Sequence, residues 1–165
     1  MAQTETVTHE FGPFYDHDSR VLILGSIPSP KSREQGFYYG HPRNRFWTVM
    51  ADILNEDFPE TVEERKVMLS SHNIALWDVL ASCEIRGADD SSIKNPKAND
   101  LTRIFDAADI KAVFATGKKA AALYDRFCRS ICGRDVICLP STSPANCGCS
   151  YERLRMEYSR ILEYL

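Results

Sequence analysis

The stretch Val21-Leu22-Ile23-Leu24-Gly25-Ser26-Ile27-Pro28-Ser29 decides the fold. Four branched apolar residues run together without polar alternation, as a strand buried on both faces requires, and Gly-Ser-x-Pro-Ser then breaks the run in a turn. Residues 74–77, 112–115 and 136–139 repeat the short apolar run. Between the runs, residues 45–54, 61–70, 101–107 and 118–132 have helical spacing, and residues 151–165 place Leu154, Tyr158, Ile161, Leu162 and Leu165 on one helical face. Strand alternating with helix predicts an α/β fold: a three-layer α/β/α sandwich with a central four-stranded parallel sheet and right-handed crossovers. Residues 81–98 read as the longest irregular stretch, polar and charged, with Pro96 opening the next helix.

Composition sets the bounds. At 165 residues and 44% apolar content the chain is expected to form one domain, residues 1–165, with a sizeable core. No apolar run reaches the roughly 18 residues of a membrane span, and MAQTETVTHE lacks the basic-then-apolar pattern of a secretory signal, so a cytoplasmic protein is expected. Of the six cysteines, Cys128 and Cys132 are four apart in a helical pattern and Cys147-Gly148-Cys149 is a C-x-C. No C-x-x-C pair or histidine partner completes a zinc pattern, so reduced thiols and no metal are expected.

The formal charge of −3 is unevenly spread: residues 25–47 carry a local +3 and residues 117–134 a local +4, which leaves −10 for the remainder. One basic face on an acidic body suits phosphate contacts, although charge alone reads first as a mixed solvated surface.

In open parallel sheets, ligands bind beyond the carboxyl ends of the strands. Here those ends run into Gly25-Ser26-Ile27-Pro28-Ser29, Trp77-Asp78, Thr116-Gly117 and Pro140-Ser141-Thr142-Ser143-Pro144-Ala145-Asn146, which together form one crevice of small polar groups, an acid and an amide. The small turn lets a ligand approach the backbone and leaves N–H groups for an anion or a base edge. Phe37-Tyr38-Tyr39-Gly40-His41-Pro42-Arg43-Asn44-Arg45-Phe46-Trp47 adds aromatic faces for stacking and arginines for phosphate.

These strings resemble the uracil-DNA glycosylase superfamily, specifically its family 6 branch of hypoxanthine-DNA (deoxyinosine) glycosylases. The resemblance rests on Leu-Gly-Ser-x-Pro-Ser at 24–29, Tyr-Tyr-Gly-His-Pro-Arg-Asn-x-Phe-Trp at 38–47, Leu-Trp-Asp-Val-Leu at 76–80, residues 86–93 with Asp90 and Ser91, and Leu-Pro-Ser-Thr-Ser-Pro-Ala-Asn at 139–146. It implies that the first loop, with Gly25 and Ser26, holds the scissile nucleoside and water, and that the 139–146 loop presses on the DNA strand. Several branches carry an acid or amide inside the first motif to place that water. Ser26-Ile27-Pro28 has none, and in family 6 the role passes to the asparagine of the His-Pro-Arg-Asn string, here Asn44.

The resemblance places Asp78 where relatives read the base; its carboxylate suits N1–H of hypoxanthine or N3–H of uracil, while its plain reading is a turn cap or a partner for Arg86. From the residues alone Asn44 reads as an ordinary N-cap just before the helical pattern at Arg45, and the catalytic role is what the resemblance adds. Tyr38 and Tyr39 offer stacking faces for a flipped base, but neighbours in an extended segment point apart, so one belongs to the core. Phe46 and Trp47 read as core. Pro28, Ser29, His41, Arg43, Ser141, Ser143 and Asn146 suit the DNA backbone, Pro144 stiffens a wedge, and Lys118 opens a helix where an anion is favoured.

The implied activity is monofunctional removal of a deaminated base from DNA, hypoxanthine first, by hydrolysis to an abasic site. Uracil or a broader lesion range, and a non-catalytic DNA-binding domain, are the alternatives. No cofactor is called for, a monomer is expected, and Lys31 is the one lysine within the two motif loops, which favours water attack over Schiff-base chemistry.

Overall fold

The computed structural model describes residues 3–165. In chain order its elements are β1 (Thr4–Thr8), β2 (Val21–Gly25), α1 (Pro30–Gln35), α2 (Phe46–Ile53), α3 (Val62–Ser71), β3 (Ile74–Asp78), β4 (Leu80–Arg86), β5 (Asp89–Ala98), α4 (Thr102–Ala107), β6 (Ala112–Thr116), α5 (Lys118–Phe127), α6 (Arg129–Cys132), β7 (Val136–Leu139) and α7 (Tyr151–Tyr158). The four apolar runs form one parallel sheet in the order β3-β2-β6-β7. Leu22, Ile23 and Leu24 are fully buried, as a strand with neighbours on both edges and layers on both faces must be. Helix α3 packs on β3, α5 on β6 and β7, and α2 against α7. The outer edge of β3 is closed by Phe14, which exchanges both backbone hydrogen bonds with Leu76 at 2.9 Å.

Local chemistry sets the helix ends. Ser29, Thr61 and Ser150 accept from the N–H groups of Ser32, Glu64 and Arg153, capping α1, α3 and α7. The helical pattern over 118–132 is broken at Cys128 into α5 and α6, and the pattern over 151–165 continues beyond α7 as a 3-10 helix, Ser159–Tyr164.

The principal correction concerns residues 81–98. They are not irregular: β4 and β5 form an antiparallel hairpin, and β1 pairs along β4 to make a second, three-stranded sheet. Pro96 does not open a helix but lies in β5, an edge strand, where its missing N–H costs no ladder bond; the next helix starts at Thr102.

Candidate active site

The two sheets meet at a corner. β3 ends at Asp78 and β4 begins at Leu80, so one residue separates the parallel from the antiparallel sheet. Across the corner Val79 N–H donates to the Gly25 carbonyl at 2.8 Å and Leu80 N–H to the Ser26 carbonyl at 3.1 Å, so the first loop and β4 stay paired past the sheet edge. Asn99 clamps the bend, with its N–H on Val79 O and its Nδ2 on Asp78 O and Leu80 O. The hairpin thus folds over the carboxyl ends of β2, β3 and β6 and closes a cavity of about 600 Å³. A cavity of that size holds a small organic ligand.

Asp78 forms the floor and is 4% exposed. It pairs with neither Arg86 nor a turn: His9, entering just after β1, places Nε2 2.8 Å from Asp78 Oδ2, and its own buried Nδ1 has no protein partner among the described residues. Among the described residues nothing hydrogen-bonds Asp78 Oδ1. Gly25 is required here by that carboxylate, because a Cβ would sit 2.5 Å from Oδ1.

Beside the floor, Tyr39 has φ +54°, so the Tyr38-Tyr39 segment is turned rather than extended and both rings border the cavity. Tyr38 is nonetheless a core residue, 2% exposed, with its hydroxyl donating to Gly12 O. The Tyr39 ring stacks on Phe46, centroids 3.9 Å apart, and its hydroxyl lies 3.3 Å from Thr116 Oγ1. Burial first, and Asp78 second, raise both phenols well above their ordinary range, which keeps them neutral.

Asn44 lines the wall, and its Oδ1 accepts from Phe46 N–H at 2.9 Å. The N-cap reading is not borne out, since the N-cap of α2 is Arg45 and it has no side-chain cap bond; Asn44 sits one residue earlier and closes an Asx turn onto Phe46 N–H, while its Nδ2 has no protein partner among the described residues. Next to it, Arg45 donates to the carbonyls of Cys149 and Asn146, and its N–H donates to Thr142 O. Those bonds hold the 140–150 loop against the cavity.

Of the residues expected from sequence, Gly25, Ser26, Pro28, Ser29, Tyr38, Tyr39, His41, Asn44, Asp78, Ser141, Ser143 and Pro144 all border the one cavity. Arg43, Lys118 and Asn146 do not. Arg43 is exposed beside it, Lys118 starts α5, and Asn146 braces its own loop by donating from Nδ2 to Ser141 O. Ser29 is spent largely on capping α1.

Sequence reasoning passes over His9, and it places Thr116 at a crevice-lining strand end and Asp90 in a matched segment without giving either a role. Asp90 comes from the hairpin tip; it is an exposed residue that also borders the cavity, and its Oδ1 accepts from Ser26 Oγ at 2.8 Å. Although the residue as a whole is exposed, desolvation of its carboxyl against the cavity wall is the first cause of a shift above the usual carboxylate range, with Asp78 adding to the rise and the Ser26 hydrogen bond and Lys119 opposing it; solvent screening keeps the shift modest. Among the described residues no group of three or more His, Cys, Asp or Glu side chains is arranged to hold a metal ion. A stacking face, a buried acceptor, an amide donor and a raised carboxyl in one cavity suit an aromatic heterocycle carrying N–H groups, attached to a polar substituent.

Comparisons with known proteins agree with this arrangement. A family model described as the uracil DNA glycosylase superfamily matches residues 13–165. Two curated relatives, from Methanosarcina barkeri and Methanosarcina acetivorans, are each named hypoxanthine DNA glycosylase. They are 35% and 33% identical over 138 residues, which is 82% of this chain and 86% of each relative. A solution NMR structure of a candidate uracil DNA glycosylase from Methanosarcina acetivorans superposes with a TM-score of 0.77 at 31% identity, covering 92% of this chain and 93% of that one. With a family match over nearly its whole length and a cavity at the strand ends where its motif strings converge, the chain belongs to the uracil DNA glycosylase superfamily.

Proposed function

We propose that this protein is a DNA glycosylase that flips a deaminated base, hypoxanthine first, into the cavity and hydrolyses its N-glycosidic bond, leaving an abasic site. The observation that carries the choice of base is Asp78. Its Oδ2 is engaged by His9 and its Oδ1 is open, so the floor offers a fixed acceptor beside a stacking ring. Deamination turns N1 of adenine from an acceptor into the N1–H donor of hypoxanthine, so a carboxylate there attracts the lesion and repels the normal base. Guanine also carries N1–H, but it sits in an intact pair whose opening costs more than that of a mismatch.

Asn44 is assigned to catalysis. With Oδ1 fixed by α2, its Nδ2 is a positioned donor for the departing base or for water. Gly25, Ser26, Tyr38 and Tyr39 form the base pocket, and Pro28, Ser29, His41, Arg43, Lys118, Ser141, Ser143, Pro144 and Asn146 the DNA-facing rim. A single domain, a monomeric state and a cytoplasmic location belong to the same proposal. No helix among the described residues is long and apolar enough to cross a membrane.

The test is a panel of end-labelled oligonucleotides carrying hypoxanthine, uracil, xanthine or an alkylated purine, single-stranded and duplex, treated with alkali after incubation. Cleavage at hypoxanthine only after alkali is the expected result, and Asn44→Ala lowers excision by about 10²-fold while changing DNA binding far less. A folded protein in excess that releases no base from any strand sinks the reading. Faster release of uracil than of hypoxanthine would transfer it to the uracil-first alternative.

A further inference from the structure

Hydrolysis needs a proton acceptor that Asn44 cannot supply. An amide orients a water or donates to a leaving group, but it does not take a proton near neutral pH. Among the described residues three carboxylates border the cavity: Asp78, Asp89 and Asp90. Asp78 is committed to His9 on one oxygen and, on the glycosylase reading, to the base on the other. Asp89 accepts from both the N–H and the hydroxyl of Ser91, which hold its carboxyl below the usual range and make it a poor base.

Asp90 differs from both. Its Oδ1 is anchored by Ser26, the polar residue of the first loop, and its Oδ2 has no protein partner among the described residues. The hairpin that carries it is fixed at its root by Leu80 on Ser26 O and along its length by β1. The first loop has no acid of its own at Ser26-Ile27-Pro28; a carboxylate from elsewhere in the chain is delivered to it.

Resting on the glycosylase reading above, we propose that Asp90 is a catalytic residue, the general base that activates the attacking water. The C1′–N9 bond breaks with its electron pair leaving on the purine, while the water oxygen bonds to C1′. The proton released from that water passes to Asp90 Oδ2. The purine anion takes a proton from solvent, and Asp90 returns its own to solvent, so no further reactant is consumed.

Asp90 is faced by Asp78 at the end of β3, Lys119 on α5, Cys83 on β4, its neighbour Asp89, and the Ser26 hydroxyl. A raised carboxyl acting as base gives a rate that falls as pH drops through its raised value, an acid limb above the ordinary carboxylate range.

The experiment is single-turnover excision of hypoxanthine from a duplex, with enzyme in excess, followed from acid to neutral pH. Wild type is compared with Asp90→Asn, Asp90→Glu and Ser26→Ala, with binding to the same duplex measured by anisotropy and folding by thermal melting. Asp90→Asn is expected to lower the rate by about 10²-fold or more, to leave binding within about threefold, and to remove the acid limb. Asp90→Glu restores part of the rate. Ser26→Ala moves the limb to higher pH, because the carboxylate loses the hydrogen bond that favours its charged form. If wild type releases base while Asp90→Asn retains its rate within tenfold, or loses rate with the acid limb unchanged, the assignment is overturned and the glycosylase reading stands. A wild type that releases no base overturns the glycosylase reading itself.

Discussion

The contact between His9 and Asp78 ties the cavity floor to the end of a strand that is remote in sequence. The His9 side chain is 3% exposed and Asp78 lies at 5%, so neither can exchange the other for water without opening the cavity floor. Removing the imidazole leaves a buried carboxylate oxygen without its partner, which costs on the order of 1–3 kcal/mol. The freed carboxylate can also rotate away from its set position beside Gly25, and a displacement of about 1 Å at a reacting centre is worth up to about 10²-fold in rate. His9→Ala should therefore lower the urea midpoint and depress hypoxanthine excision more steeply than it depresses DNA binding. Equal losses in excision and binding would assign His9 to the fold alone. Gly25 obeys the same constraint from the other side, since even a methyl group there would collide with Asp78 Oδ1.

The elements that sequence patterning foretells are those buried on both faces. β2, β3 and β6 read as continuous apolar runs because neighbours and layers enclose them, and the cavity residues at their ends were legible for the same reason. The second sheet is different. β1 buries only Val7, and β5 is the polar sequence DDSSIKNPKA, because this sheet keeps much of its surface in solvent and is specified by long-range pairing. His9 and Asp90 were not legible because that sheet delivers them. The resemblance over residues 86–93 marked the segment, but without the hairpin nothing placed Asp90 next to Ser26. Arg45 was read with the basic stretch and proves to be internal bracing for the 140–150 loop. Its replacement by alanine removes charge-assisted bonds to two carbonyls and should cost about 2 kcal/mol. Limited proteolysis checks this: cleavage within residues 140–150 should accelerate in Arg45→Ala well below its melting temperature. Unchanged cleavage there would mean that the Arg45 N–H bond to Thr142 O suffices to hold the loop.

At the scale of the whole molecule, a raised carboxyl at the cavity wall is a cost carried by the folded state. Folded Asp90 holds its proton to a higher pH than the same residue in the unfolded chain. Between the unfolded value, about 3.9, and the raised folded value the native state binds more protons, so stability falls as pH rises across that window and the deficit persists above it. Asparagine has nearly the same shape, can still accept from Ser26 Oγ, and does not ionise beside Asp78. Asp90→Asn should then melt above wild type at neutral pH, by a margin that solvent screening of this exposed side chain keeps small, and the gain should vanish below about pH 4, where both states of Asp90 are protonated. Calorimetry at several pH values measures the difference directly. Together with loss of excision, such a gain separates a group retained for chemistry at the expense of stability from one that merely supports the hairpin, because a supporting group lowers the melting temperature when it is removed.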